Sequence, residues 1–136
     1  MTSQSQTIHF FNPPGLPRPS GYSHAAAVSG GKTIYVSGQV ALDQSGTLVG
    51  PGDLRAQTQQ VFANLKAALE AGGANFHAVV KLTYYLLDIS QIQMVREVRD
   101  QFVNVQQPPA SSAVEVRRLF RDDVLIEIEA IAVVPA

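Results

Sequence analysis

The hydrophobic pattern changes period along the chain, and each change marks an element. The last apolar run, VLIEIEAIAVV (residues 124–134), alternates with a period of two, so successive side chains point to opposite faces of a strand. Val124, Ile126, Ile128, Ala130 and Ala132 make one face wholly apolar, while Leu125, Glu127, Glu129, Ile131 and Val133 share the other. Between residues 53 and about 71 the period lengthens. Leu54, Thr58, Val61, Leu65, Ala68 and Leu69 recur at steps of three and four, one face of a helix. Asp53 stands where an N-cap belongs, and Gly72-Gly73 ends the pattern with residues suited to a left-handed C-terminal turn. A second helix is expected from residue 90 to about 105, with Ile92, Val95, Val98, Phe102 and Val105 as its apolar face, before Pro108 and Pro109 break the chain.

The remaining segments read as strands and turns. Ile8, Phe10 and Phe11 form a short apolar patch followed by NPPGLPRPSGY, whose prolines and glycines point to an edge strand and an ordered loop. SHAAAVSGGKTIYVSGQVAL holds two strand-like runs joined by Gly30-Gly31, a two-residue hairpin signal. AVVKLTYYLL (residues 78–87) reads as a strand buried on much of both faces, and residues 111–118 as another. The expected order is a hairpin, a helix, a strand, a helix and two strands, without repeat or linker. That is one α+β domain over residues 1–136.

Composition narrows the function. Apolar residues make up 46% and charged residues 15% of the 136, against roughly 25% charged in an ordinary soluble domain. Surface poor in charge suits an interface, so a homo-oligomer is expected ahead of a weakly charged monomer. Ten basic residues face eleven acidic ones, and Arg117, Arg118 and Arg121 are answered at once by Asp122 and Asp123. Binding a phosphate backbone needs clustered, uncompensated cations, so no nucleic-acid partner is expected. The chain has no cysteine, hence no disulfide, thiol nucleophile or thiolate metal site. The stretch MTSQSQTIHFFNPPG lacks the basic and apolar regions of a signal peptide, and no apolar run approaches ~20 residues. The cytoplasm and no membrane partner are expected. A Gly-rich phosphate loop, a His-Glu-x-x-His and a G-x-S-x-G turn are absent, and His9, His24 and His77 lack metal-ligand spacing. No cofactor and no metal are expected.

Glu127 and Glu129 lie among aliphatic neighbours on their face of the last strand. Burying a carboxylate without partners costs several kcal/mol, so either arginines pair with them or a ligand uses them. The structural alternative puts them against Arg117 or Arg118 of a neighbouring strand. The pattern alone does not choose between the two.

Three stretches together resemble the RidA family (YjgF or L-PSP proteins): SGYSHAAAV with KTIYVSGQV; the AGG turn leading into VVKLT; and PASSAVEVRRL with IEIEAIAV. The resemblance spans almost everything from Ser20 to Val134. It implies a chorismate-mutase-like fold, a mixed sheet with two helices on one face, assembled as a homotrimer with small-molecule clefts between subunits. It also implies hydrolysis of reactive enamines or imines to a keto acid and ammonia. The family uses an arginine to grip the substrate carboxylate, a tyrosine and backbone groups to position it, and a glutamate to orient water. Carried over, the tyrosine is Tyr22, the glycine whose backbone meets the ligand is Gly38 after Ser37, and the glutamate is Glu127.

One position departs from the pattern. The family's arginine lies in a P-A-R-S-C-V-E-V type motif, and here that stretch is PASSAVEV, with Ser111 at the arginine's place and Ala113 where some members have cysteine. Serine cannot imitate a bidentate guanidinium. The expected substrate therefore differs from the usual 2-aminoacrylate, being larger or differently charged. The alternative is a non-catalytic ligand-binding or regulatory trimer that uses the same cleft. Arg96 stands where relatives often have asparagine. It has two readings: a replacement guanidinium, or an exposed helix residue paired with Asp100 four positions on. The second is favoured because Arg96 lies off the apolar stripe.

Overall fold

The structure, a computed structural model, describes residues 7–136. The first six residues, part of the stretch read for a signal peptide, lie outside the described residues. Six strands and two helices follow one another: β1 (Thr7–Phe11), β2 (Ala25–Ser29), β3 (Lys32–Gln39), α1 (Leu54–Ala71), β4 (Val79–Leu86), α2 (Ile92–Arg99), β5 (Ala110–Glu115) and β6 (Ile126–Val134). A four-stranded mixed sheet has the order β3-β6-β4-β5, with β4 and β5 parallel and the other pairs antiparallel. Both helices pack on one face of it.

The alternation in β6 sets up this layer. Ile126, Ile128, Ala130 and Ala132 are buried beneath the helices, while Glu127, Glu129 and Ile131 are half-buried on the opposite face. In β4, Leu82, Tyr84 and Leu86 join the core, and Lys81, Thr83 and Tyr85 turn away from it. From α1, Val61, Phe62, Leu65 and Leu69 complete the packing. Burial of each such side chain contributes roughly 1.5–3 kcal/mol. The Asp53 side chain accepts from the Ala56 N–H at 3.0 Å and caps α1, and Gly73, at φ +82°, supplies the left-handed turn after it. No helix among the described residues is long and apolar enough to cross a membrane.

Three expectations need correction. Gly30 and Gly31, at φ +70° and +86°, do form a tight turn, but β2 pairs with β1 in a separate two-stranded sheet while β3 pairs with β6. The turn passes the chain between sheets and closes no hairpin ladder. The second helix stops at Arg99. Turns then carry Phe102 and Val103 inward, with Phe102 stacked on Phe62 at 5.1 Å, and leave Val105 54% exposed. Proline at 108 and 109 matters less than this early exit into the core. Finally, β5 ends at Glu115, and β4 separates it from β6. Arg117 and Arg118 therefore do not lie beside Glu127 and Glu129, which find other surroundings.

Candidate functional site

The loop before β2 is tied to the start of β5 by Ser23. Its N–H donates to the Pro109 carbonyl at 3.1 Å and its buried hydroxyl to the Pro108 carbonyl at 2.6 Å. Ser23 also makes a parallel bridge to Ala110. His24 adds a second anchor: its backbone N–H donates to Asn12 Oδ1 at 2.7 Å, and its Nε2 donates to the Pro17 carbonyl at 2.6 Å. The Tyr22 ring stands edge-on to His24 at 5.4 Å. Tyr22 is thereby held next to the first residues of β5.

A cavity of about 230 Å³ opens there, between α2 and the helix-facing side of β5. Tyr22 and Tyr84 line it together with Ile92, Val95, Arg96 and Arg99 from α2, and with Ser111 and Ala113 from β5. Ser111 and Ala113 lie two apart on a strand and so share a face. Ser111 Oγ reaches only the Pro109 carbonyl, at 3.5 Å, a weak contact. Arg99 is buried at 6% exposure; its Nε and Nη2 both meet Asp100 Oδ1 at 2.9 Å. The same guanidinium packs over Gly21, where a Cβ would overlap Nη2 and stand 2.9 Å from Cζ. The absence of a side chain at Gly21 lets Arg99 lie in the wall.

Glu127 belongs to a second cluster. The β3–β6 register breaks between Val36 and Gln39, so Ser37 and Gly38 form an irregularity at the end of β3, the kind of feature that re-aims a strand. The Glu127 side chain lies over Gly38: a Cβ there would overlap Oε2 and stand 2.6 Å from Cδ. Partial burial, and next the charge of Glu129, raise the Glu127 pKa above the ordinary carboxylate range. Glu129 accepts the Tyr85 hydroxyl at 2.7 Å, and this hydrogen bond is the main cause of a raised Tyr85 pKa. Among the described residues, neither glutamate pairs with an arginine.

The six residues singled out from the sequence thus fall into two groups. Tyr22, Ser111 and Arg96 share the α2–β5 cavity; Ser37, Gly38 and Glu127 sit at the β3–β6 edge. Ser111 is paired with Leu82, a core-facing residue, and Glu127 with Tyr85, which faces away from the core. One chain does not bring the groups together. Arg96 is not paired with Asp100, which is taken by Arg99; the favoured exposed-pair reading is corrected, because one turn of α2 turns Arg96 toward the cavity. The sequence reading missed Arg99 and Tyr84. Arg99 follows Val95 by four residues, so it falls on the helix's apolar stripe, and an arginine there was the available signal. Tyr84 alternates with Leu82 and Leu86 and looked like plain core.

The family model Endoribonuclease L-PSP matches residues 16–134. A RutC family protein of Pyrococcus horikoshii is 40% identical over 116 residues, covering 85% of this chain and 90% of that one. A 2-iminobutanoate/2-iminopropanoate deaminase of Mus musculus is 39% identical over 112 residues, covering 82% and 80%. The structure of a protein of unknown function from the conserved Rid family of Yersinia pestis superposes with a TM-score of 0.83 at 38% identity, covering 93% of this chain and 98% of that one. With the fold, the closing EIEAIAV strand and the match over residues 16–134 in agreement, the chain belongs to the RidA (YjgF, L-PSP) family.

Proposed function

We propose that this protein is a homotrimeric hydrolase of reactive enamines or imines, releasing ammonia and a 2-oxo acid, with a preferred substrate other than 2-aminoacrylate. The observation that carries the reading is Glu127 lying against Gly38 with its pKa raised. A carboxylate whose pKa is raised, beside a backbone bare of side chain, is placed to take a proton from attacking water and return it to the leaving nitrogen. Water attached to the imine carbon forms a carbinolamine; loss of ammonia breaks the carbon–nitrogen bond and leaves the carbonyl. Similarity to a deaminase named for 2-iminobutanoate and 2-iminopropanoate supports this chemistry.

The division of the site into two groups supports a site shared between copies. The outer face of the sheet carries Tyr35, which is 77% exposed, with Ile131 half-buried, and no helix covers it. A second copy on that face would bury Tyr35 and Ile131. Each cleft would then take Glu127, Ser37 and Gly38 from one copy and Tyr22, Ser111 and Arg96 from its neighbour. No nucleic acid, membrane, metal or cofactor enters this reading.

The test is a coupled assay in which a pyridoxal-phosphate dehydratase generates the imine and 2-oxo acid release is followed with and without the protein. Faster release from imines larger than 2-aminoacrylate supports the proposal. No acceleration with any imine would overturn the hydrolase reading.

A further inference from the structure

Three residues lining the α2–β5 cavity, Tyr84, Arg96 and Arg99, carry hydrogen-bond donors that the described residues leave wholly or partly unused. The Tyr84 hydroxyl is buried, the residue being 4% exposed, and has no hydrogen-bond partner among the described residues. Such an orphan costs about 1–3 kcal/mol. Burial pushes its pKa well above the usual phenol value, outweighing the lowering by Arg99 and Arg96, so it remains a neutral donor. The Arg99 guanidinium spends Nε and Nη2 on a single oxygen of Asp100 and leaves Nη1 uncommitted. The Arg96 side chain, one turn back, has neither an ion pair nor a hydrogen bond among the described residues; its backbone carbonyl accepts from the Asp100 N–H. Two cations and one adjoining carboxylate leave the wall with one uncompensated positive charge.

A guanidinium only donates and a neutral phenol can donate its O–H, so one acceptor group can satisfy all three. One negative charge and two oxygens match what is left over, which is the description of a carboxylate. Ile92, Val95 and Ala113 supply the apolar remainder of the lining. At about 230 Å³ the cavity lies below the ~300–1,000 Å³ of pockets for drug-sized ligands, which points to a small organic acid.

We propose that Arg96 and Arg99 of α2, with the Tyr84 hydroxyl, form the carboxylate receptor of this chain, holding a small organic acid whose apolar end rests on Ile92, Val95 and Ala113. The guanidinium that Ser111 lacks is then supplied from the helix. The proposal rests on the imine-hydrolase reading only for naming the ligand, a 2-oxo or 2-imino acid.

Calorimetric titration with 2-oxobutanoate, the uncharged 2-butanone and inorganic phosphate tests it. The expected result is binding of 2-oxobutanoate and neither of the others. Arg96→Gln should weaken that binding about tenfold or more, as loss of a charge-assisted contact does. Tyr84→Phe removes one oxygen that has no partner in the free protein, so it should fold at least as stably while binding more weakly. Arg99→Gln risks the fold through its burial, so the two milder variants carry the test. Equal affinity for 2-butanone, equal affinity for phosphate, or unchanged binding by both Arg96→Gln and Tyr84→Phe would overturn the receptor. Failure of the two proposals looks different: binding as expected with no imine turnover removes the hydrolase and keeps the receptor, whereas Glu127-dependent turnover with binding indifferent to Arg96 does the reverse.

Discussion

Ser111 and Glu127 stand on opposite faces of one sheet, Ser111 in register with core-facing Leu82 and Glu127 with outward-facing Tyr85. The two positions proposed to hold substrate and to orient water are thus kept apart within one chain by the backbone of β4. A site that uses both needs two copies.

The first expected outcome is therefore oligomeric. Light scattering at micromolar concentration should give three times the 14.6 kDa chain mass, and the value should be insensitive to ordinary salt because only 15% of the residues are charged. A clean monomer would defeat the account.

Glu127→Gln should abolish turnover without loss of stability. A carboxyl whose pKa is raised on folding contributes nothing where both states are protonated, and it destabilises the fold as pH rises through and above the folded pKa. The amide removes that penalty. The melting temperatures of the two proteins should coincide at low pH, and the variant should be equal or slightly higher at neutral pH. Unchanged turnover per folded molecule would refute the role given to Glu127.

Gly38→Ala should act through Glu127. The new methyl would overlap Oε2 and approach Cδ, so the carboxylate must swing away. A stability loss at the low end of the ~1–3 kcal/mol typical of overpacking is expected, with turnover falling nearly as far as in Glu127→Gln. Wild-type turnover in a folded Gly38→Ala protein would show that the position of this carboxylate is immaterial.

Ser111→Arg alone should not restore 2-aminoacrylate hydrolysis, since a third guanidinium would enter a cavity already lined by Arg96 and Arg99. Like charges in a small cavity repel, and the single variant should melt lower. The double variant Ser111→Arg with Arg96→Asn, which recreates the family combination, should recover stability and hydrolyse 2-aminoacrylate about tenfold faster than the parent, a difference of ~1.4 kcal/mol in the barrier. A double-mutant cycle showing no coupling would place the two side chains in separate sites.

Much of the fold was legible because single residues announced it. Asp53 and the Gly72-Gly73 pair bracketed α1, and the two-residue period of residues 124–134 gave β6 with both of its faces. The β2–β3 ladder failed because Gly30-Gly31 specifies a turn and says nothing about which strands the flanking runs choose as partners; that choice is tertiary. The end of α2 was misplaced because Phe102 keeps helical spacing yet reaches the core from a turn. Of the proposed site, Glu127 was legible as a carboxylate among aliphatics. Arg99 was not, since charge on an apolar stripe is easily read as an interruption, and Tyr84 hid because its hydroxyl matters only when its surroundings leave it unpaired. Arg96 was set aside for lying off a stripe that does not mark the cavity's rim.

Subunit mixing tests the shared site most directly. Glu127→Gln removes one group, and Ser111→Glu blocks the other by offering the cavity's guanidiniums a built-in carboxylate. Each variant alone should be inactive in the coupled imine assay. Co-expressed in equal amounts and assembled at random, they should regain about a quarter of wild-type activity, because one cleft in four then combines an intact Glu127 with an unblocked neighbouring cavity. No recovery from mixed oligomers that have demonstrably formed would contradict a site built from two copies.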